Sequence, residues 1–516
     1  VPRAVWLAMI LFGLLAGSWS TVTPVARAPD ETTHFDLIDH LARGGRYPDF
    51  DGLMIDQGVM SVGYLYIPGL FRYLTPDDVP PRRERSRLDQ MPEFGNRADY
   101  PNQMPQHPPT YYWFMSGTLA AERGLTGSAG PVDREFHLLR WVNVMLVTPL
   151  PLLAWAAARR LGAGQAASTT ASLVPLAVPQ LAYIGGVINN DNMTVLFSAV
   201  AAVGVASVLR GSAGGRTAVL VGVASGLAMA TKANAVVLLP WVLAAYGVQW
   251  WRGHHRRATV RAGATCLSIA AVLGGAWPAR NLIRHGELFP SVHAPTARPA
   301  GFEPDLLDYL FDFFPRINGR FWGNFGYYEA GLGTPVAPTA ALTLAVLFGA
   351  ALWGGRDDRS ERTPRRLESV VYLLSAVLIV GFVVVRAFSL YKGQESPPFV
   401  HGRYLFVAIV PMAVVAGAGA ARLAGRWAAP MLLATAGILH VIGMRSAVTT
   451  WWAEPDAALR RRLVSMVRWS PWPEAFTYGL AALTAVVGVC LMWTLVGAAR
   501  EPGSPSQAGA LEGADG

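Results

Sequence analysis

Charge, lysine and cysteine are what this 516-residue sequence has least of. Only 15% of its residues are charged, against 52% hydrophobic, a balance that leaves too little polar surface for a water-soluble chain of this length. The two cysteines, Cys266 and Cys490, both fall inside apolar runs, so no disulfide framework is implied. Lysine occurs twice, at Lys232 and Lys392, and arginine supplies the rest of the 43 basic residues. The net charge of +9 does not point to nucleic acid, because the basic residues sit in short connections between apolar runs. That distribution is the positive-inside pattern of membrane proteins. Internal repeats and a separate soluble catalytic domain are also missing.

What is present is a series of twelve apolar runs, at 4–22, 135–158, 165–185, 190–209, 217–231, 233–250, 262–283, 336–354, 368–388, 403–421, 428–444 and 475–497. Most have the length of about 20 residues that a bilayer crossing needs. The expected fold is an all-α polytopic membrane protein. Arg159-Arg160, Arg210 with Arg216, residues 251–261, Arg356 to Arg366, and Arg422 with Arg426 mark the cytoplasmic connections. Both termini are then cytoplasmic, and 23–134, 284–335, 389–402 and 445–474 lie outside. The run 107–123 is read as an interfacial or re-entrant helix, because counting it as a span would invert the loops that follow. Ala26-Arg27-Ala28 could pass for a signal-peptidase site; cleavage there would strand the acidic cluster that follows at a free end, so the first span is taken as retained.

The outer segment 23–134 is too long to be a simple turn. Phe35, Leu37, Ile38 and Leu41 follow helical spacing with Asp36, Asp39 and His40 on the other side, which predicts an amphipathic helix lying on the membrane and ending at Gly44-Gly45. Residues 75–106, rich in proline and charge, read as an ordered loop. The 284–335 segment is aromatic and glycine-rich, running through Asn318 to Tyr328, and suits either a headgroup-level belt or a sugar-stacking surface. Residues 456–470, with Arg460-Arg461-Arg462, form a second amphipathic candidate whose arginines could snorkel to lipid phosphates. The tail after Arg500 has a disordered composition.

Chemistry concentrates at the outer face. Directly after the first apolar run comes Pro29-Asp30-Glu31-Thr32-Thr33-His34, and carboxylates beside a bilayer are costly and seldom idle. At the same depth stand His107, Asn189 to Asn192 with Asp191 among them, Lys232, Arg280, His401 and Arg403. Carboxylates beside several cations suit an enzyme acting on a lipid phosphate. A sugar hydroxyl needs a positioned base in the transition state, and a departing phosphate needs cations at its oxygens, which Lys232, Arg280 and Arg403 could supply. Each residue also has a plainer role: Asp30 could cap the helix it precedes, Lys232 could snorkel, and the asparagines could form a polar turn. Asp77-Asp78 stands alone in a proline-rich loop, and hard cations want several converging oxygens, so no metal and no cofactor is expected.

Asp30-Glu31 followed by His34-Phe35 resembles the first outer loop of the GT-C class glycosyltransferases, notably the protein O-mannosyltransferases and the lipid A aminoarabinose transferases. His107-Pro108-Pro109-Thr110-Tyr111-Tyr112 is similar to their (H/K)PP-x-YY element, and Thr231-Lys232 to another outer-face element. The likeness extends through Asn190-Asp191, Trp277 to Asn281, Phe321 to Gly326 and His401-Gly402-Arg403-Tyr404, and is nearest to an uncharacterised bacterial branch. It implies long outer loops after spans one and seven, a conserved seven-span module over 1–283, a second outer loop over 284–335, a variable module over 336–499 and a tail over 500–516. It also implies a polyprenyl-phosphate-linked sugar donor, inverting transfer, Asp30 as base and Glu31 as its support. The acidic metal motifs of the oligosaccharyltransferases have no convincing counterpart, and no added outer domain marks a protein acceptor.

The expected function is therefore a multi-pass plasma-membrane glycosyltransferase acting on the outer face, with an envelope glycan, lipid or protein as acceptor. His34, His107, Asp191, Lys232, Arg280, His401 and Arg403 are the substrate-binding candidates, and Asp30 and Glu31 the catalytic ones. A transporter or flippase of lipid-linked sugars is the main rival. Transporters place ionisable groups near mid-membrane between related halves, which this sequence does not show. An envelope glycan polymerase or ligase is the third possibility.

Overall fold

The computed structural model describes residues 1–66, 73–212, 214–253, 255–290, 292, 300–353, 366–392 and 400–501. The expected tail beyond 501, most of the Arg356 to Arg366 connection and most of the 389–402 outer segment lie outside the described residues.

The chain is overwhelmingly helical, and every apolar run expected to span has a helical counterpart. Among the described residues, nine helical segments are long and apolar enough to cross a membrane: Arg3–Val22, Val132–Arg160, Asp191–Leu209, Ala233–Trp251, Arg256–His285, Val336–Trp353, Arg366–Tyr391, Gly402–Trp451 and Glu474–Arg500. Gly402–Trp451 covers two of the expected runs, 403–421 and 428–444, as the helices Ile409–Ala424 and Ala428–Trp451, separated at Gly425, where φ is +55°. Gly215–Met229 is shorter. The 165–185 run is broken into Gln165–Leu173, Val174–Ala177 and Pro179–Gly185, because Pro175 and Pro179 remove backbone donors and clash with the preceding turn.

Asp191–Leu209 is buried on nearly every side, whereas Val336–Trp353 buries only Ala351. A helix apolar all round and unburied by protein is one that lipid must cover. Close packing near the centre depends on small residues: a Cβ on Gly222 would come within 2.6 Å of the Cys266 carbonyl oxygen, so the Gly215–Met229 and Arg256–His285 helices meet through glycine, as small-residue interfaces in membranes do.

The described residues of 23–134, the expected outer segment, fold against the bundle as a cap. Its helix, Glu31–Ala42, ends before Gly44 as the pattern predicts, but its polar face is not left open. Phe35 stacks on Phe136 with ring centres 4.0 Å apart, and Asp36 and Asp39 are themselves buried. Asn102 Nδ2 donates to Asp36 Oδ2 at 2.7 Å, and Arg123 reaches Asp39 at 2.7 Å. Both faces are therefore covered by protein, which satisfies the carboxylates that the pattern had assigned to solvent. The Thr110–Thr126 helix packs Tyr111, Tyr112, Met115 and Leu119 inward and leaves Trp113 and Phe114 exposed.

Leu459–Trp469 is a helix, as expected, yet its arginines do not all snorkel. Arg462 is buried and donates to the carbonyls of Thr449, Trp452, Glu454, Pro455 and Ala457. It satisfies a turn that would otherwise leave unpaired carbonyls. Arg461 pairs with Asp77 at 2.7 Å and with Glu454 at 3.1 Å. Arg85 ties this region to the cap, bonding Asp133 at 2.5 Å and the carbonyls of Arg468 and Trp469.

Candidate active site

Asp30 holds a left-handed backbone, φ 63° and ψ 5°, at the residue preceding the Glu31–Ala42 helix, and its side chain makes no capping bond. Left-handed residues other than glycine are uncommon, although aspartate tolerates the region better than most. The turn aims the carboxylate away from the helix and into a cavity of about 180 Å³. Gln103 Nε2 donates to Oδ1 at 3.0 Å and Arg403 Nη2 to Oδ2 at 2.5 Å, while 27% of the side chain stays open. Gln103 is placed by its neighbour Asn102, whose amide also donates to the Thr33 carbonyl at 2.9 Å.

Arg403 arrives from the far end of the sequence. Gly402 crosses the chain at Arg320 and Phe321 so closely that a Cβ there would lie 2.1 Å from the Phe321 nitrogen. Only glycine permits that crossing, and it sets His401 and Arg403 at the cavity wall. Arg403 Nε lies 3.3 Å from Asp191 Oδ2, and Lys232 Nζ donates to Asp191 Oδ1 at 2.8 Å. Asp191 begins its helix, where the helix dipole favours a negative charge. The result is an alternating row, Lys232, Asp191, Arg403, Asp30, with Lys232 also resting over the Tyr404 ring at 4.9 Å.

Three histidines complete the polar wall. His34 Nδ1 lies 3.0 Å from the Tyr112 hydroxyl, and the two rings stack. Burial pushes His34 down to about 3 and holds His107 and His401 well below the ordinary imidazole value, so all three are neutral at pH 7. Burial alone would raise the Asp30 pKa, but Arg403, with smaller contributions from His401 and His34, holds it well below the carboxylate range. Burial lowers Lys232, with Asp191 opposing that shift.

A second cavity of about 230 Å³ adjoins this one, sharing Gln106, His107, Lys232 and Tyr404. Its remaining wall is largely apolar, with Phe289, Pro290, Phe382 and Val383. A charged chamber and an apolar one thus meet at a lysine.

Residues 111–270 match the family described as dolichyl-phosphate-mannose-protein mannosyltransferase. No curated protein matches the sequence. Among solved structures, ArnT from Cupriavidus metallidurans bound to undecaprenyl phosphate is similar to this chain with a TM-score of 0.50 and 15% identity, over 96% of this chain and 74% of that one. The same protein in the apo state gives a TM-score of 0.50 at 16% identity, over 96% and 73%. The fold is GT-C.

Within this GT-C fold, Asp30, His34, His107, Lys232, His401 and Arg403 line one cavity, and Asp191 stands directly behind it between the two cations. Two candidates fall elsewhere. Glu31 is wholly buried and accepts from Arg140 Nε and Nη2 at 2.7 and 2.6 Å, and from the Ile188 amide. It does not line the cavity, because the helical turn after Asp30 points it into the bundle. Arg280 lies over Trp277 and pairs with Asp49 at 2.5 Å, outside both cavities. Gln103, Met104 and Gln106 are wall residues that the sequence did not single out, because they carry no charge or periodicity to flag them, whereas Tyr404 stood in the motif beside Arg403. Among the described residues no three His, Cys, Asp or Glu side chains converge as a metal site, and Asp77 and Asp78 are taken by Arg461 and Thr75.

Proposed function

We propose that the chain is a glycosyltransferase that moves a sugar from a polyprenyl-phosphate carrier to an acceptor hydroxyl of the cell envelope, a glycan, a lipid or a protein. The observation that carries this reading is the junction of the two cavities at Lys232. An isoprenoid tail suits the apolar chamber beside Phe289, Phe382 and Val383, and its phosphate then meets Lys232 and Arg403. Undecaprenyl phosphate, the lipid bound to the similar ArnT, has this division into apolar tail and anionic head.

Asp30 takes the acceptor proton, the freed oxygen bonds to the anomeric carbon, and the bond from that carbon to the phosphate oxygen breaks. The electron pair leaves with the phosphate, where Lys232 and Arg403 meet the growing charge. Attack opposite the leaving group inverts the anomeric centre. The resting row of charges is self-neutralised, so the incoming phosphate competes with Asp30 for Arg403 and releases a more basic carboxylate. Glu31 enters this scheme as a positioning residue, fixing the turn before it through Arg140.

Arg403→Gln is expected to raise the donor KM about 10- to 150-fold, the equivalent of roughly 1.5–3 kcal/mol for a charge-assisted hydrogen bond, with less effect on the acceptor KM. The pH profile gives a second readout. Arg403 depresses the Asp30 pKa, so the base stays ionised down to low pH in the native protein. Without Arg403 the folded pKa rises, and the acidic limb of the rate profile moves to higher pH. An unchanged donor titration and an unmoved limb would reassign Arg403 to structure.

The scheme puts this chemistry on the extracytoplasmic side of a plasma membrane, with both termini inside. In a background lacking Cys266 and Cys490, Ser128→Cys should react with an impermeant thiol reagent in intact cells and Ser212→Cys should not. Both serines are exposed. The opposite labelling would move the cavity to the cytoplasmic face.

A further inference from the structure

Residues 324–331 form a small hairpin in which Asn324 and Phe325 pair with Gly331 and Ala330. Its tip, Gly326-Tyr327-Tyr328-Glu329, plays no part in the scheme above. Phe325 packs beneath it against Trp19 at 4.3 Å and Tyr183 at 5.3 Å. The Gly326 amide donates to the Tyr183 hydroxyl at 3.0 Å, and Glu329 Oε1 accepts from Arg27 at 2.6 Å and from Trp451 at 3.0 Å. The tip is thus held from below by several helices.

Tyr328 has a left-handed backbone, φ 76°, unusual for a bulky side chain and a form of strain that gathers at functional sites. That conformation turns its ring onto the cavity wall, where its hydroxyl bonds His401 Nδ1 and Arg320 lies 3.8 Å from the ring centre. Tyr327 is left projecting, 47% exposed. A belt tyrosine on the lipid-facing perimeter would have lipid and solvent around it and few charges. Instead, surrounding protein pushes the Tyr327 phenol up to about 12, with Asp30, Glu31 and Glu329 adding to the rise and Arg27 opposing it. The ring stands exposed beside Tyr328, whose hydroxyl reaches His401 on the wall of the cavity that holds the proposed base.

We propose that this hairpin tip is the acceptor subsite and that the acceptor is a carbohydrate, seated with the apolar face of a sugar ring on Tyr327. This rests on the glycosyltransferase reading and narrows its acceptor. A rigid, exposed aromatic ring in a frame of charged and hydroxyl groups matches a sugar, whose C–H face is apolar and whose rim is hydroxyls. A peptide adding as a strand needs a free edge. Here the amides of Asn324, Gly326 and Gly331 already donate to side chains of Gln180, Tyr183 and Ser446.

The test is saturation-transfer NMR on the full-length protein in nanodiscs, with neutral di- and trisaccharides of mannose, glucose, galactose and arabinose as probes. At least one saccharide should bind the wild type. Tyr327→Ala should weaken it roughly ten-fold, while Tyr327→Phe and Tyr327→Trp should retain it. Binding of undecaprenyl phosphate, followed separately by native mass spectrometry, should be unchanged in all three variants. Wild type that binds undecaprenyl phosphate but no saccharide, or saccharide binding indifferent to Tyr327→Ala, would overturn the subsite while leaving the donor reading standing. Loss of undecaprenyl phosphate binding by the wild type would instead undermine the donor reading. A serine- and threonine-rich peptide that binds through Tyr327 where sugars do not would overturn the carbohydrate assignment.

Discussion

Asp30→Asn should fold and melt like the wild type and turn over on the order of 10²–10⁴ more slowly. Asparagine is nearly the same size and is among the residues that best tolerate the left-handed backbone Asp30 adopts. It can still accept from Gln103, and Arg403 keeps Asp191 as a partner. What asparagine cannot do is take a proton. The capping role that aspartate could equally have filled is set aside by geometry, since the side chain bonds none of the first amides of its helix. Single-turnover transfer with saturating donor, beside a thermal unfolding curve, checks both halves of the expectation. Near-normal transfer would remove Asp30 as base and turn attention to Asp191, the other carboxylate of the charged row.

The helices were legible because the apolar runs are long and bounded by arginine, glycine and proline, signals that survive without tertiary information. The 165–185 run shows the limit: its composition reads as a span, yet two prolines break it into three pieces. The cavity was half legible. Asp30, Lys232, Asp191 and Arg403 stand out as ionisable groups beside apolar runs, and that costliness is visible in sequence alone. Which way each side chain points was not. Asp30 and Glu31 are adjacent, and one turn of backbone sends the first into the cavity and the second into the bundle. Arg280 looked equivalent to Arg403, but its partner Asp49 is 231 positions away, and nothing local to either residue announces the pair. The Glu31–Ala42 helix was correctly bounded and wrongly covered for the same reason. Its amphipathic pattern shows which face is apolar, but it does not show that Asn102 and Arg123 will bury the polar one.

Glu31 and Arg140 should therefore behave as a structural pair, with a signature opposite to that of Asp30. Arg140 is wholly buried, binds both Glu31 oxygens and also donates to the carbonyls of Ser20, Thr23 and Pro24. These three carbonyls belong to the end of the first apolar helix and the turn after it, so one guanidinium joins the helix end, the turn that presents Asp30 and the Val132–Val147 helix. Removing one partner of a buried ion pair leaves an uncompensated charge and costs about 3–5 kcal/mol. Arg140→Gln should accordingly lower the melting temperature sharply and reduce the yield of folded protein. Glu31→Gln should do so less severely, because Arg140 keeps its three carbonyls. Whatever fraction of Glu31→Gln folds should retain its pH profile, since Asp30 and Arg403 are untouched. A Glu31→Gln protein that melts like the wild type but has lost turnover would instead make Glu31 part of the chemistry. The bidentate bond to Arg140 would then have to open during the reaction, exposing a carboxylate that at rest has no access to either cavity.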